Sequence, residues 1–166
     1  TDTVDFTTIG ANIDTGDPDN YTYGLIDEVK IYNYALSPEE VKLDYNQGMS
    51  TVMGSAGIDS SGAPTQSAST EYCIPGDTSP CDPPVAEWLF NENQGTVARD
   101  TSGNGNDGML INNPAWVVGR DGGSALSLNS NKYVTVDNIT GLNSTGFTIS
   151  GWINVRSQPN HYSSML

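Results

Sequence analysis

The chain has 166 residues, six Lys and Arg against 20 Asp and Glu for a formal charge of −14, an isoelectric point near 4.1 and an apolar fraction of 36%. So few cations cannot neutralise a phosphate backbone, which excludes a nucleic-acid partner and leaves divalent cations or neutral ligands. The length is enough for a buried core, no apolar run approaches a membrane-spanning helix, and the abundance of Gly, Ser, Thr and Asn favours short strands and long loops over helices.

The N-terminus carries no secretory leader pattern, so the chain reads as cytoplasmic, processed, or an internal portion of something longer. Residues 4–9, V-D-F-T-T-I, form a strand-like run. The turn D-T-G-D-P-D-N at 14–20 brings three aspartates together, as a solvated acidic loop or as a calcium-binding one. Residues 24–32, G-L-I-D-E-V-K-I-Y, predict the second strand. Ile26 breaks its alternation, after which Val29 and Ile31 share one face opposite Lys30 and Tyr32. Asp27 falls near the rim, and strand alternation turns Asp27 and Glu28 to opposite faces.

The run L-S-P-E-E-V at 36–41 carries the strongest helix start in the chain. Ser37 caps, Pro38 suits the first helical position, Glu40 completes a capping box, Leu36 staples onto Val41, and Gly48 ends the helix after about three turns. The helix reads as a structural plug without chemistry of its own. Residues 49–84 then turn to Ser, Thr, Gly, Ala and Pro with no lysine or arginine, the composition of a linker. Within it Cys73 and Cys81 enclose a segment bent by Pro75-Gly76, spaced for a local disulfide. Such a ring restricts the unfolded chain by roughly 2–3 kcal/mol and belongs to an extracellular setting.

Residues 86–108, A-E-W-L-F-N-E-N-Q-G-T-V-A-R-D-T-S-G-N-G-N-D-G, supply a committed strand ending near Phe90 and then a glycine-rich loop. Asp100, Ser102, Asn104 and Asn106 recur at every second position in that loop. A folded-back backbone can aim their oxygens at one hard cation such as calcium, while the same Asn-Gly and Asp-Gly pairs also make plain hairpin turns. Further strands are predicted over 108–111, 114–118, 124–128, 132–136 and 147–155. In the last, Phe147, Ile149, Gly151 and Ile153 face one way against Thr148, Ser150, Trp152 and Asn154. Regular short strands with turn signals predict an all-β antiparallel sandwich or barrel with one short helix.

Residues 86–155 resemble the N-terminal portion of concanavalin A-like (laminin G-like) jelly-roll domains. The likeness lies in W-L-F-N-E-N-Q-G-T-V-A-R-D-T-S-G-N-G-N-D-G, in G-R-D-G-G-S-A-L-S-L-N-S-N-K-Y-V-T-V and in F-T-I-S-G-W-I. Residues 8–45 resemble the C-terminal portion of the same kind of domain, through I-G-A-N and G-L-I-D-E-V-K-I-Y-N-Y-A-L-S-P-E-E-V. An end thus precedes a beginning, as in a window cut across two tandem repeats or in a circular permutant. The implied organisation is a C-terminal jelly-roll portion at 1–48, a linker at 49–84 and an N-terminal portion at 85–166. First and last strands are neighbours in this family, so the Trp88 strand and the strand at 26–32 are expected to pair, within the chain or between copies. The resemblance further implies a structural calcium near the first loop and the last strand, at Asp100, Ser102, Asn104, Asn106 and Asp27.

The function expected from the resemblance is a non-catalytic, extracellular adhesion or carbohydrate-binding module. Its partners would be a glycan or surface ligand, and further copies of itself through strand pairing. Tyr21, Tyr23, Trp116, Tyr133 and Tyr162 are candidates for a sugar platform, and each is also an ordinary core or rim aromatic. A spacer or subunit of a surface filament is the alternative. A glycoside hydrolase ranks below both, because the E-x-D-x-E signature of the fold's hydrolases is missing and no nucleophile triad can be built on His161, the one histidine. Asn20, Asn138 and Asn143 stand in N-glycosylation sequons.

Overall fold

A computed structural model of the chain describes residues 6–13, 18–46, 82–142 and 146–156. Cys73 and Cys81, the rest of the linker up to residue 81, the turn at 14–17, Asn143, His161 and Tyr162 lie outside the described residues. The chain is all-β with a single helix among the described residues. In order it forms β1 (Phe6–Ile9), β2 (Asn12–Ile13), β3 (Pro18–Asp19), β4 (Gly24–Tyr32), α1 (Pro38–Asn46), β5 (Ala86–Trp88), β6 (Val97–Ala98), β7 (Gly108–Ile111), β8 (Ala115–Val118), β9 (Ser124–Leu128), β10 (Tyr133–Asp137) and β11 (Thr148–Val155).

The strands make two main antiparallel sheets and a small β2–β3 ribbon. The first sheet runs β1-β10-β7-β6 and the second β11-β4-β9-β8, with β5 also on β4. Strand β4 organises the second sheet. β11 pairs along one edge of it, while β9 at Gly24 to Ile26 and β5 at Val29 to Ile31 divide the other. Segments from either side of the linker therefore share both sheets: β1 pairs β10, and β4 pairs β5 within one chain.

A break in the strand period makes this arrangement possible. Between Asp27 and Lys30, β4 has one residue more than β11 has between Trp152 and Ser150, so Glu28 and Val29 together oppose Gly151. Glu28 takes the left-handed conformation at φ 50°, and the bulge resets the alternation so that Ile26 and Val29, three positions apart, both enter the core. Gly151 fits opposite because a Cβ there would come within 3.1 Å of Val29 Cγ2. This bulge overturns the expectation that Asp27 and Glu28 diverge, since both carboxylates approach Arg120.

One apolar cluster joins the sheets. Ile9, Ala98, Leu110, Val134 and Val136 enter it from the first, and Ile26, Val29, Ile31, Ala86, Trp88, Leu126 and Leu128 from the second. Trp88 and Phe90 are fully buried, and burying side chains of this kind is worth about 1.5–3 kcal/mol each. The β5 strand ends at Trp88, before the expected limit near Phe90, because Phe90 turns to φ 50°. Phe147 falls just before β11, and Ile149 takes its core-side face, pairing with Ile31, yet the two remain 56% and 39% exposed.

The helix begins as its capping box requires. The Ser37 amide donates to Glu40 Oε2 at 2.7 Å, and the Glu40 amide donates to Ser37 Oγ at 3.3 Å. Leu36 packs on Tyr32 while Val41 is half exposed. No residue of α1 is itself buried, and the helix meets the outer face of the second sheet through Asp44 on Lys30 of β4 and Tyr45 on Trp152 of β11.

Candidate functional site

The predicted loop comes together around the Asp100 carboxylate and the Val85 main-chain carbonyl. Asp100 Oδ1 accepts the amides of Glu87 and Ser102 at 3.0 and 2.9 Å, and Oδ2 accepts that of Asn106 at 2.8 Å. Ser102 Oγ, Asn104 Nδ2 and Asn106 Nδ2 all donate to the Val85 carbonyl, at 3.2, 3.0 and 2.8 Å. Asp107 ties the loop's far side, accepting the Asp100 amide and pairing with Arg99. The four predicted residues thus converge, and their converging polar groups bond the chain itself. Asp27 is elsewhere, on β4 beside the bulge, where its Oδ2 accepts the Arg120 amide. Among the described residues no three His, Cys, Asp or Glu side chains gather as a metal set.

The predicted aromatics divide. Tyr21 and Tyr133 lie 6.0 Å apart between ring centroids at 30°, and the Tyr23 hydroxyl bonds Ser130 in the turn before β10, so these three share one end of the molecule. Trp116 does not join them. It packs against the core, and its indole N–H donates to the Gly95 carbonyl at 3.3 Å.

The concave site lies on the outer face of the second sheet. Leu25 pairs with Asn154 and Asp27 with Trp152, while the alternate residues Ile26 and Ile153 point to the core. The outward set, together with Ala125 and the Gly119-Arg120 turn, encloses a pocket of about 390 Å³, within the range of small-molecule sites. On the other side of the bulge the same face lies under α1, whose Tyr45 ring meets that of Trp152, a pocket residue, at 5.2 Å between centroids.

Arg120 ties the charges together. Its guanidinium carbon stands 3.7 Å over the Trp152 ring and its amide donates to Asp27 Oδ2 at 3.1 Å. Its Nη1 lies 3.7 Å from Glu28 and 3.4 Å from Asp121. A guanidinium on an indole face contributes about 0.5–2 kcal/mol. Burial raises the Asp27 carboxyl above its ordinary value, against the opposing pull of the Arg120 amide. Burial, and then the hydrogen bond to Asp121, raise Glu28 from 4.5 to about 7. Gly119 is required at the wall, since a Cβ there would sit 2.5 Å from Asp27 Oδ2.

Of this site, sequence reasoning named only Asp27, and for another purpose. The available signal was Trp152, a large aromatic alternating with Thr148, Ser150 and Asn154 on the polar face of its strand. An apolar ring on a solvent face either packs under another element or meets a ligand. Comparison of the chain with family models, curated proteins and solved structures returned no match, so the functional reading rests on this geometry.

Proposed function

We propose that the chain is a non-catalytic, extracellular ligand-binding module, a concanavalin A-like or laminin G-like jelly-roll β-sandwich that takes a glycan on the outer face of its second sheet. The pocket carries this reading. Its apolar walls at Leu25, Ala125 and Trp152 suit the C–H faces of a sugar, and Asp27, Arg120 and Asn154 offer an acceptor, a charged donor and an amide to its hydroxyls. Strong negative charge turns away polyanions and leaves neutral glycans as the ligand class.

Hydrolysis is disfavoured by the same lining. Glycoside cleavage uses two carboxylates facing the bond, and Asp27 is the one carboxylate among the lining residues, with Glu28 and Asp121 outside it. Calcium is proposed as a structural ion of the Asp100 loop. This is supported by the gathering of Asp100, Ser102, Asn104 and Asn106 within it. Asp27 belongs instead to the pocket.

A second reading, a subunit that pairs with copies of itself, is favoured by β11. Among the described residues it stands at a sheet edge, with Ile149 and Val155 on it and Phe147 just before it exposed. A glycan array probed with the full chain separates the two. Binding that is lost in Trp152→Ala, with the melting temperature retained, supports the pocket. A blank array together with concentration-dependent association in sedimentation supports pairing and overturns the glycan reading.

A further inference from the structure

Where α1 covers the second sheet, the outer face carries a row of polar groups shut away from solvent. The register sets Glu87 of β5, Lys30 of β4 and Ser150 of β11 side by side, and paired residues of adjacent strands share a face. Glu87 is 0% exposed and Lys30 3%. From above, Asp44 of α1 reaches down to Lys30, with Oδ1 2.6 Å from Nζ and side-chain exposures of 16% and 4%. Glu87 Oε2 accepts the Thr101 hydroxyl at 2.6 Å, whereas its Oε1 and the Ser150 hydroxyl are buried with no hydrogen-bond partner.

We infer that Lys30 and Asp44 are joined by an isopeptide bond that the folded chain forms on itself, with Glu87 as the proton carrier. An amine and a carboxyl group in water stay as an ion pair. Held in contact and shielded from solvent, the same two groups gain the effective molarity of an intramolecular reaction, and removal of water favours the neutral amide over two buried charges. The step balances within the three side chains. Glu87 takes a proton from the Lys30 ammonium, and the freed amine attacks Asp44 Cγ. The Nζ–Cγ bond forms, a Cγ–O bond breaks, and the leaving oxygen departs as water with the proton returned by Glu87 and the one shed by nitrogen. Glu87 ends as it began, and no oxidant, metal or nucleotide is consumed. Glu87 is the register partner of Lys30, and its buried Oε1, which makes no hydrogen bond in the resting structure, is the base in this transfer once its side chain turns to the ammonium. The cross-link would tie the helix to the central strand across a 14-residue separation, fixing the element whose Tyr45 packs on Trp152.

The test is the intact mass of the purified full chain, reduced and denatured, followed by sequencing of its proteolytic peptides. The expected result is a mass lower than that of the sequence by one water, with a branched peptide joining the Lys30 and Asp44 segments. Asp44→Ala and Lys30→Arg should then restore the full mass, and Glu87→Gln should leave most of the chain uncoupled. A wild-type chain at full sequence mass overturns the inference. So does a water loss confined to one linear peptide, which marks a cyclised aspartate. Coupling in Glu87→Gln at the wild-type extent removes Glu87 from the mechanism. The wild-type measurement decides the main point even where a variant fails to fold.

Discussion

Asp100 should hold its loop whether or not an ion is present. Its two carboxylate oxygens accept three main-chain amides, from Glu87, Ser102 and Asn106, which fix the start of β5 and both limbs of the loop. Asp100→Ala removes all three acceptors at once. Hydrogen bonds to a charged acceptor contribute roughly 1.5–3 kcal/mol each when buried, and this half-buried set with water able to replace part of it gives about 3 kcal/mol in total. For a chain of this size that corresponds to a fall in melting temperature on the order of 6–12 °C. Asp100→Asn keeps one acceptor oxygen and turns an NH2 group toward the other amides, so it should lose roughly half as much. The assay is urea denaturation in chelator and again in excess calcium. The chelator arm reads the hydrogen bonds alone, and a larger wild-type advantage in calcium reads the ion. A loss below about 1 kcal/mol in chelator would refute the reasoning, since three amides deprived of a charged acceptor cannot cost so little.

Stability should also depend on pH through Glu28. Its carboxyl is raised from 4.5 to about 7, so between those values the folded chain keeps a proton that the unfolded chain has released, and stability falls as pH rises through that window. Glu28→Gln should match the wild type near pH 4 and exceed it by about 1–2 kcal/mol at roughly pH 8, solvent screening included; parallel curves contradict this. Trp88→Ala removes a fully buried ring whose indole N–H bonds the Asn106 carbonyl, and denaturation should show a loss of about 3–5 kcal/mol. Gly151→Val places a branched side chain against Val29 at the bulge and should cost about 1–3 kcal/mol; a neutral outcome would mean that β11 does not lie against the bulge.

The strands at 24–32, 108–111 and 124–128 were legible because each is short, apolar and bounded by turn residues, and the capping box at Ser37 and Glu40 because all its partners lie within one helical turn. That Asp100, Ser102, Asn104 and Asn106 gather was legible because they lie within seven residues of chain, but Asn104 and Asn106 bring their Nδ2 groups to the Val85 carbonyl rather than their oxygens. The intrachain pairing of β4 with β5 was expected as one of two alternatives, from the resemblance alone. The pocket was not legible. It depends on one left-handed residue, Glu28, that shifts which β4 side chains face outward, and glutamate carries no signal for that conformation. Arg120 stacks on Trp152 from a turn 32 positions away in sequence, and the Glu87–Lys30–Ser150 row is assembled from three strands that only the sheet register brings together. Local pattern reads the elements, and the chemistry here lies between them.

The pocket on the outer face of the second sheet is best tested by titrating a glycan that binds on the array against wild type and Gly119→Val, following Trp152 fluorescence. The added side chain would fill the wall against Asp27, where even a Cβ comes within 2.5 Å of the carboxylate. The account predicts a saturable change in the wild type and at least a tenfold weaker one in the variant, a loss of about 1.4 kcal/mol or more. Equal affinity in the two proteins, both folded, would place the ligand elsewhere and contradict it.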